Sequence, residues 1–414
     1  MKESGIDWIR QIPEEWRVRP IKHIVETPVT DGPHETPVLY ETGIPFLSAE
    51  AVKDGVLDFN YKRGYISLKD HDRFKKKISP KKDDIFIVKS GATTGNVGIV
   101  NTDEIFDIWS PLALIRCNKT LAIQKYIYFY LLSTLFKSQV EFNWSFGTQQ
   151  NIGMGVIERI KVILPPLSEQ QQIVEVLDKK TAQLDKVKAL LEEQIQKLKD
   201  YRTSLIYETV TKGLDKTVPM KDSGIDWIGQ VPEGWGVSRL KYYFDIYAGG
   251  DIDERNTVEE YSESHPYPVL SNSLENEGVL GYTNKYRFKK NCVTVTGRGD
   301  VGKAVYRNIK FYPVVRLLVC VPKSQVDCRF VTYWINSAII EKNQTAVSQL
   351  TIQMLGELIF VNVPFLEQKN IADFLDKKTN QIDKLIQIKN QQIDNINKQR
   401  QTLIYDYVTG KKRA

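Results

Sequence analysis

Across residues 168–212 the apolar positions return every seven residues, at Leu177, Leu184, Leu191, Leu198 and Leu205. Val187 and Tyr201 fill the +3 positions of that register, and Ile195 flanks the seam. The stretch holds no Gly and no Pro. Ser168 stands ready as an N-cap, Glu169 adds charge to the first turn, and Gly213 supplies a stop. The pattern predicts one long helix with a coiled-coil seam, about 68 Å long at 1.5 Å per residue. That is too long for the core of one compact domain and suits a spacer or a dimer seam. Leu375, Ile382, Ile396 and Leu403 repeat the pattern near the end of the chain. Lys389 stands in its seam, with Gln392 and Gln399 close by.

Before each helix the pattern changes to short apolar runs broken by polar turns, the mark of strand-rich bodies. In the first body, strands are expected at 84–89, 97–100, 111–116 and 160–164, with a helix at 123–135 and polar turns at 90–95 and 146–152. In the second, strands are expected at 292–296, 303–306, 314–321 and 358–363. A helix at 329–336 and polar turns at 297–302 and 347–352 complete it.

The chain repeats itself. Residues 2–26 and 221–245 share thirteen of 25 positions without a gap, around G-I-D-W-I-x-Q-(I/V)-P-E-x-W. Residues 166–211 align with 364–409, again ungapped, and LDKKT occurs at 177–181 and 375–379. Each half is therefore a Trp/Pro motif, a variable body and a long helix. Trp8, Trp16, Trp227 and Trp235 are expected to be packing clamps, since buried aromatics mostly pack. The fold class expected is α+β, with two mixed α/β domains separated by a pair of long antiparallel coiled-coil helices in a pseudo-twofold repeat. The expected segments are a first domain with its Trp/Pro motif at 1–163, a central helix at 164–212 and a linker at 213–220. A second domain with the repeated motif at 221–362 and a C-terminal helix with basic tail at 363–414 follow. Lys389, half-buried in an antiparallel pair, would need a carboxylate or a path to solvent.

Composition narrows the function classes. The net charge of +6 fits a polyanion partner without demanding one. The four cysteines lie far apart with no C-x-x-C, and the four histidines are scattered, so neither a zinc site nor a disulfide framework is expected. The start, MKESGIDWIR, lacks a signal-peptide core, and no run approaches the roughly 18 apolar residues of a membrane span. A cytoplasmic, non-membrane protein is expected. Gly297, Gly299 and Gly302 spell G-x-G-x-x-G, but a strand follows instead of a helix, so a tight turn is the better reading. There is no P-loop, no G-x-S-x-G, no H-E-x-x-H and no Asn-Pro-Pro-(Tyr/Phe). Catalysis is poorly supported, and binding remains.

Polar turns can read base edges, Arg or Lys pairing with guanine and Asn or Gln with adenine. One candidate DNA-binding cluster is Lys89, Ser90, Thr93, Thr94 and Asn96. Another is Thr148, Gln149, Gln150 and Asn151, beside Trp144 and Phe146. In the second half the candidates are Ser271, Asn272, Ser273, Arg298, Lys303, Arg316, Ser348 and Gln349. Each residue alone is as well explained by an ordinary solvated turn; the clusters gain weight because both halves carry them.

The duplicated Trp/Pro motif, P-P-L-S-E-Q-Q-x-I-V at 165–174, the LDKKT helix and F-G-T-Q-Q-N-I at 146–152 resemble the specificity subunit of type I restriction–modification enzymes, across essentially the whole chain. The resemblance implies a non-catalytic subunit whose two domains each read one half of a bipartite, asymmetric DNA site, with the helices fixing the unread spacer. It implies two modification subunits, which bring S-adenosylmethionine and flip the target adenine. It also implies restriction subunits that use ATP and Mg, and no cofactor on this chain. The second body has V-S-Q-L-T at 347–351 where the first has G-T-Q-Q-N, so carry-over is weaker there. Two readers on one face of a duplex should stand about 34–36 Å apart, within reach of such helices. The competing reading is a coiled-coil scaffold that binds only proteins.

Overall fold

The structure, a computed structural model, describes residues 1–6, 9–142, 151–338 and 349–414. They form two compact units, Met1–Leu191 with Asn390–Ala414, and Glu192–Lys389. The two long helices are Leu167–Lys212 and Phe365–Val408. Each unit therefore holds one body, part of the first long helix and part of the second.

In the first unit a six-stranded sheet runs Thr30–Asp31, Leu112–Ile115, Ile85–Val88, Val97–Ile99, Val56–Leu57 and Val52–Lys53 in spatial order. Ile85–Val88 and Leu112–Ile115 are buried on both faces, which is why they read as unbroken apolar runs. Beside this sheet lie three more strands, ordered Asp107–Ile108, Ile44–Leu47 and Gly64–Ile66. The helix expected at 123–135 is two helices, Gln124–Leu132 and Thr134–Phe142. The break falls at Ser133, whose backbone is extended and whose hydroxyl donates to the Tyr130 carbonyl at 2.5 Å.

The second unit repeats the plan. One sheet runs Phe244–Ala248, Leu317–Pro322, Cys292–Thr296 and Ala304–Arg307; the other runs Thr257–Val258, Val279–Thr283, Tyr267–Leu270 and Tyr312–Pro313. The strand expected from 314 begins later because Arg316 adopts φ +74°, which no strand tolerates. The central strands pair equivalently in the two bodies. Ile87 pairs with Ala113 and Val97 as Val295 pairs with Leu318 and Ala304. In each body a two-stranded ladder joins the segment after the Trp/Pro motif to the strand before the long helix: Arg17–Pro20 with Lys161–Leu164, and Gly236–Arg239 with Ile359–Asn362.

The Trp/Pro motifs are clamps. Trp16 and Trp235 are almost fully buried. The Trp16 indole N–H donates to Glu169 Oε2 at 2.8 Å, in the first turn of the first long helix. The Trp235 indole does the same to Glu367 at 3.0 Å, in the first turn of the second. Each ring also lies against a glycine just past the other helix's end, Gly410 for Trp16 and Gly213 for Trp235. Both glycines have positive φ, so a side chain there would strain the backbone as well as press on the indole. Trp227 packs on Trp334 with ring centroids 5.7 Å apart; Trp8 lies outside the described residues.

The helices pair antiparallel inside each unit. In the first, Asp185 meets Arg400 at 3.5 Å and the Lys180 ammonium donates to the Tyr407 hydroxyl at 3.3 Å. In the second, Arg202 meets Asp383 at 3.3 Å and the Lys389 ammonium donates to Gln194 Oε1 at 2.5 Å. Lys389 thus finds a carboxamide rather than a carboxylate. The seam differs in phase from the expectation. Val187 and Tyr201, at the +3 positions, are 47% and 55% exposed. The inward partners of the leucines are the +4 positions: Thr181 and Ile195 are buried, Lys188 and Arg202 half-buried. The leucines are therefore d positions, from which the next core position lies four residues on. The same holds in the second helix, where Ile393 and Arg400 take the places expected near Gln392 and Gln399. Ser168 is not the cap either. The helix starts one residue earlier, and the Glu169 and Gln170 amides both donate to the Pro166 carbonyl. Gly213 does end the first helix, donating to Thr209 at 3.1 Å.

The clamp predicts a stability test. Trp16→Ala or Trp235→Ala should each cost about 3–5 kcal/mol through the cavity left behind. Denaturant unfolding with a tryptophan-independent signal such as circular dichroism measures the cost; a change below about 1 kcal/mol would contradict the clamp.

Candidate nucleic-acid interface

At one rim of the first body, four loops come together. The turn after Ile85–Val88 closes through Gly95, whose amide donates to the Val88 carbonyl at 2.8 Å. Ser90 on that turn forms a bridge with Asn151, and the Ile152 amide donates to Lys89 O at 2.8 Å. Lys89 N donates to Pro111 O at 2.7 Å, and Ser110 N to Pro33 O at 3.2 Å. Residues 32–33, 89–96, 109–111 and 151 therefore share one edge. Asn151, the described member of the second polar cluster, is a neighbour of the first.

The second body builds the same rim from different side chains. Gly302 closes the turn by donating to Thr296 O at 2.8 Å, and the Leu350 amide donates to Gly297 O at 3.0 Å. Asn272 bridges three loops: its Oδ1 accepts from the Gly297 amide at 2.8 Å, and its Nδ2 donates to Val315 O at 3.3 Å. Only glycine fits at 297, because a Cβ there would collide with the Arg316 carbonyl oxygen. The G-x-G-x-x-G run is thus a tight turn feeding the strand Ala304–Arg307, as its context implied.

The candidates divide as follows. Ser90, Thr93, Thr94, Asn96 and Asn151 stand on the first rim, with Thr93, Asn96 and Asn151 exposed. Thr94 is engaged locally, its hydroxyl donating to Gly91 O at 2.7 Å. Lys89 is a correction to the picture of a solvated turn: its side chain turns inward and pairs with Asp31, which also takes Lys77 at 2.7 Å. In the second body Ser271, Asn272, Ser273, Arg298, Arg316 and Gln349 gather on the rim. Arg298, Ser273 and Gln349 are exposed, while Ser271 donates to Gly278 O at 3.1 Å. Arg316 keeps one buried guanidinium nitrogen without a partner among the described residues. Lys303 points elsewhere, into a cavity of about 740 Å³ that it lines with Arg202, Arg329 and Tyr333. Thr148, Gln149, Gln150 and Ser348, with Trp144 and Phe146, lie outside the described residues. Neither Asp31 nor Lys77 lies in a polar turn that the sequence pattern marks.

Electrostatics supports a buried cation–carboxylate cluster. Burial alone would raise the Asp31 carboxyl; hydrogen bonds from Lys77 and Lys89 outweigh it and hold the group below the usual carboxylate range. The four cysteines are free and buried, and burial pushes the Cys117 thiol up to about 12, so it is no nucleophile. Among the described residues no group of His, Cys, Asp and Glu could hold a metal, and no helix is long and apolar enough to cross a membrane.

Residues 13–199 and 232–398 match the family described as the type I restriction modification DNA specificity domain. The chain belongs to that family. Its two matched stretches correspond to the two halves of the repeat. A Methanocaldococcus jannaschii protein, the type I restriction enzyme MjaVIII specificity subunit, is 23% identical over 442 residues, covering 98% of this chain and 94% of its own. A solved chain from work on complex assembly and conformational transition of the type I R-M system is similar in fold. Its TM-score is 0.75 at 15% identity, over 97% of this chain and 99% of that one. The HsdS subunit from Thermoanaerobacter tengcongensis is similar at a TM-score of 0.51 and 16% identity, over 99% and 100%.

The Asp31 cluster can be tested within the first unit. Asp31→Asn leaves Lys89 buried without its carboxylate and should cost about 3 kcal/mol at neutral pH. Adding Lys89→Met should recover part of that loss. The depressed carboxyl stabilises fully above its ordinary value near pH 4 and loses this as pH falls through the folded value. Denaturant midpoints of the unaltered chain and Asp31→Asn should therefore converge on acidification; a pH-independent gap would contradict the pairing.

Proposed function

We propose that each body reads one half of a bipartite, asymmetric DNA site, and that the long helices set the interval left unread. The observation that carries this is the pair of rims. Strand pairing and backbone hydrogen bonds repeat between them, while the side chains they present differ, within a family of DNA specificity domains. Equal frames with unequal side chains are what an asymmetric site needs, since base edges are distinguished by donor and acceptor pattern.

The chain itself carries out no chemistry in this proposal. Two modification subunits supply S-adenosylmethionine and the methyl transfer, and restriction subunits supply the ATP- and Mg-dependent steps. The MjaVIII relative's name and the type I R-M assembly described for the solved neighbour support partners of these classes. In this reading the work of this chain is to position duplex DNA, through phosphate contacts that orient and base contacts that specify. The assembly acts on DNA in the cytoplasm.

Salt-dependent, sequence-selective binding of the chain with its modification subunits to duplex DNA is the direct test. No DNA binding by that complex would leave the protein-scaffold reading in its place. Exchanging residues 27–163 for another first body should change one half-site and leave the other. Sequencing of methylated positions reads the outcome, and a change in both halves would refute modular reading. One heptad inserted after Leu191 together with one after Lys389 preserves both seams. It should lengthen the spacer or abolish binding; an unchanged spacer at full affinity would remove the helices' role.

A further inference from the structure

Trp109 stands in the middle of the first rim. Its amide donates to Leu47 O at 2.9 Å and its carbonyl accepts from Leu112 N at 3.0 Å. The next residue, Ser110, donates to Pro33, and the Ile108–Trp109 peptide presses so close on Gly32 that no Cβ would fit there. The side chain is half-buried, and its indole N–H is buried without a hydrogen-bond partner among the described residues. Over its ring lies the guanidinium of Arg63, 4.3 Å from the ring centroid. Arg63 is exposed and has no carboxylate partner among the described residues. Its backbone is held by an amide hydrogen bond to Phe46 O at 2.9 Å.

We infer that Arg63, stacked on Trp109, reads a guanine in the half-site of the first body. This rests on the DNA-reading function proposed above. A guanidinium lying on an aromatic face is attracted by the ring and loses rotamer freedom before any ligand arrives. Stacking leaves its fork of N–H donors at the edge, which matches O6 and N7 of guanine. Four other cations of this body are already committed: Arg73 to Glu35 and Asp70, Arg116 to Asp84, Lys77 and Lys89 to Asp31. Arg63 is charged, presented and unspent. In the second body strand register places Val314 at the position of Trp109, so the stack has no counterpart there. Its effect should fall on one half-site.

The experiment uses the complex of this chain with its modification subunits. The probes are duplexes carrying the sequence that the unaltered complex methylates, with each base pair substituted in turn. Arg63→Ala should weaken binding to the unsubstituted duplex roughly tenfold or more and abolish discrimination at one G·C pair of one half-site. Arg63→Lys should keep part of the affinity but not that discrimination, because an ammonium cannot make the bidentate contact. Trp109→Phe should lie between. Discrimination unchanged in Arg63→Ala would overturn the inference. So would a loss uniform over all duplexes with a salt slope reduced by about one, the signature of a phosphate contact. Absence of selectivity in the unaltered complex would instead overturn the DNA-reading function and the inference together.

Discussion

One interaction recurs at both ends of the plan: an indole held between the start of one long helix and the end of the other. Trp16 bonds to Glu169 and lies on Gly410; Trp235 bonds to Glu367 and lies on Gly213. The carboxylate does two jobs, since it sits where the helix dipole favours negative charge and it accepts the buried indole N–H. A helix that begins at such a clamp must run beside a helix that ends there, so antiparallel pairing follows within each unit. The Arg202–Asp383 and Arg400–Asp185 contacts obey the same exchange, each joining equivalent positions of opposite helices.

Around that constraint the framework uses backbone-directed bonds that do not depend on the body's sequence. The buried Gln170 accepts from the Ile123 amide and donates to Pro165 O; Gln368 does the same with the Asp327 amide and Val363 O. Such buried polar groups cost stability unless every atom is paired, so they fix the position of the body's helix on the long helix. The rim is under no such demand. There the register tolerates Asp31 in one body and Ala248 in the other, Lys89 and Gly297, Trp109 and Val314. The clamp and the glutamines carry the architecture, and the strand ends are left to vary.

This division explains what could be read from residues alone. The long helices, the clamps and the duplicated plan were legible because each is local in sequence or repeated. The phase of the seam was not, because leucines every seven residues suit either core position. Only the buried Thr181 and Ile195 against the exposed Val187 and Tyr201 decide it. Clustering of the rim was half legible: the polar turns were visible, but their meeting depends on the Ser90–Asn151 bridge and on Asn272 reaching Gly297 and Val315. The inward turn of Lys89 was invisible, since its partner Asp31 lies 58 residues away in an unrelated loop.

Glycine marks the places where the rims could not be varied. Gly32 in the first body and Gly249 in the second occupy the same register beside the paired strand, and at each a Cβ would strike a facing carbonyl. Close backbone approach at those points draws the loop after one strand onto the loop before another, which places side chains of distant residues at one edge. Gly95 and Gly302 close the adjoining turns with φ of +89° and +82°. Because main-chain contacts assemble the rim, replacing the residues that face outward alters what is presented without dismantling how it is held. A reader built this way can change its target while its frame stays the same, which is the property that two unlike halves of one DNA site require.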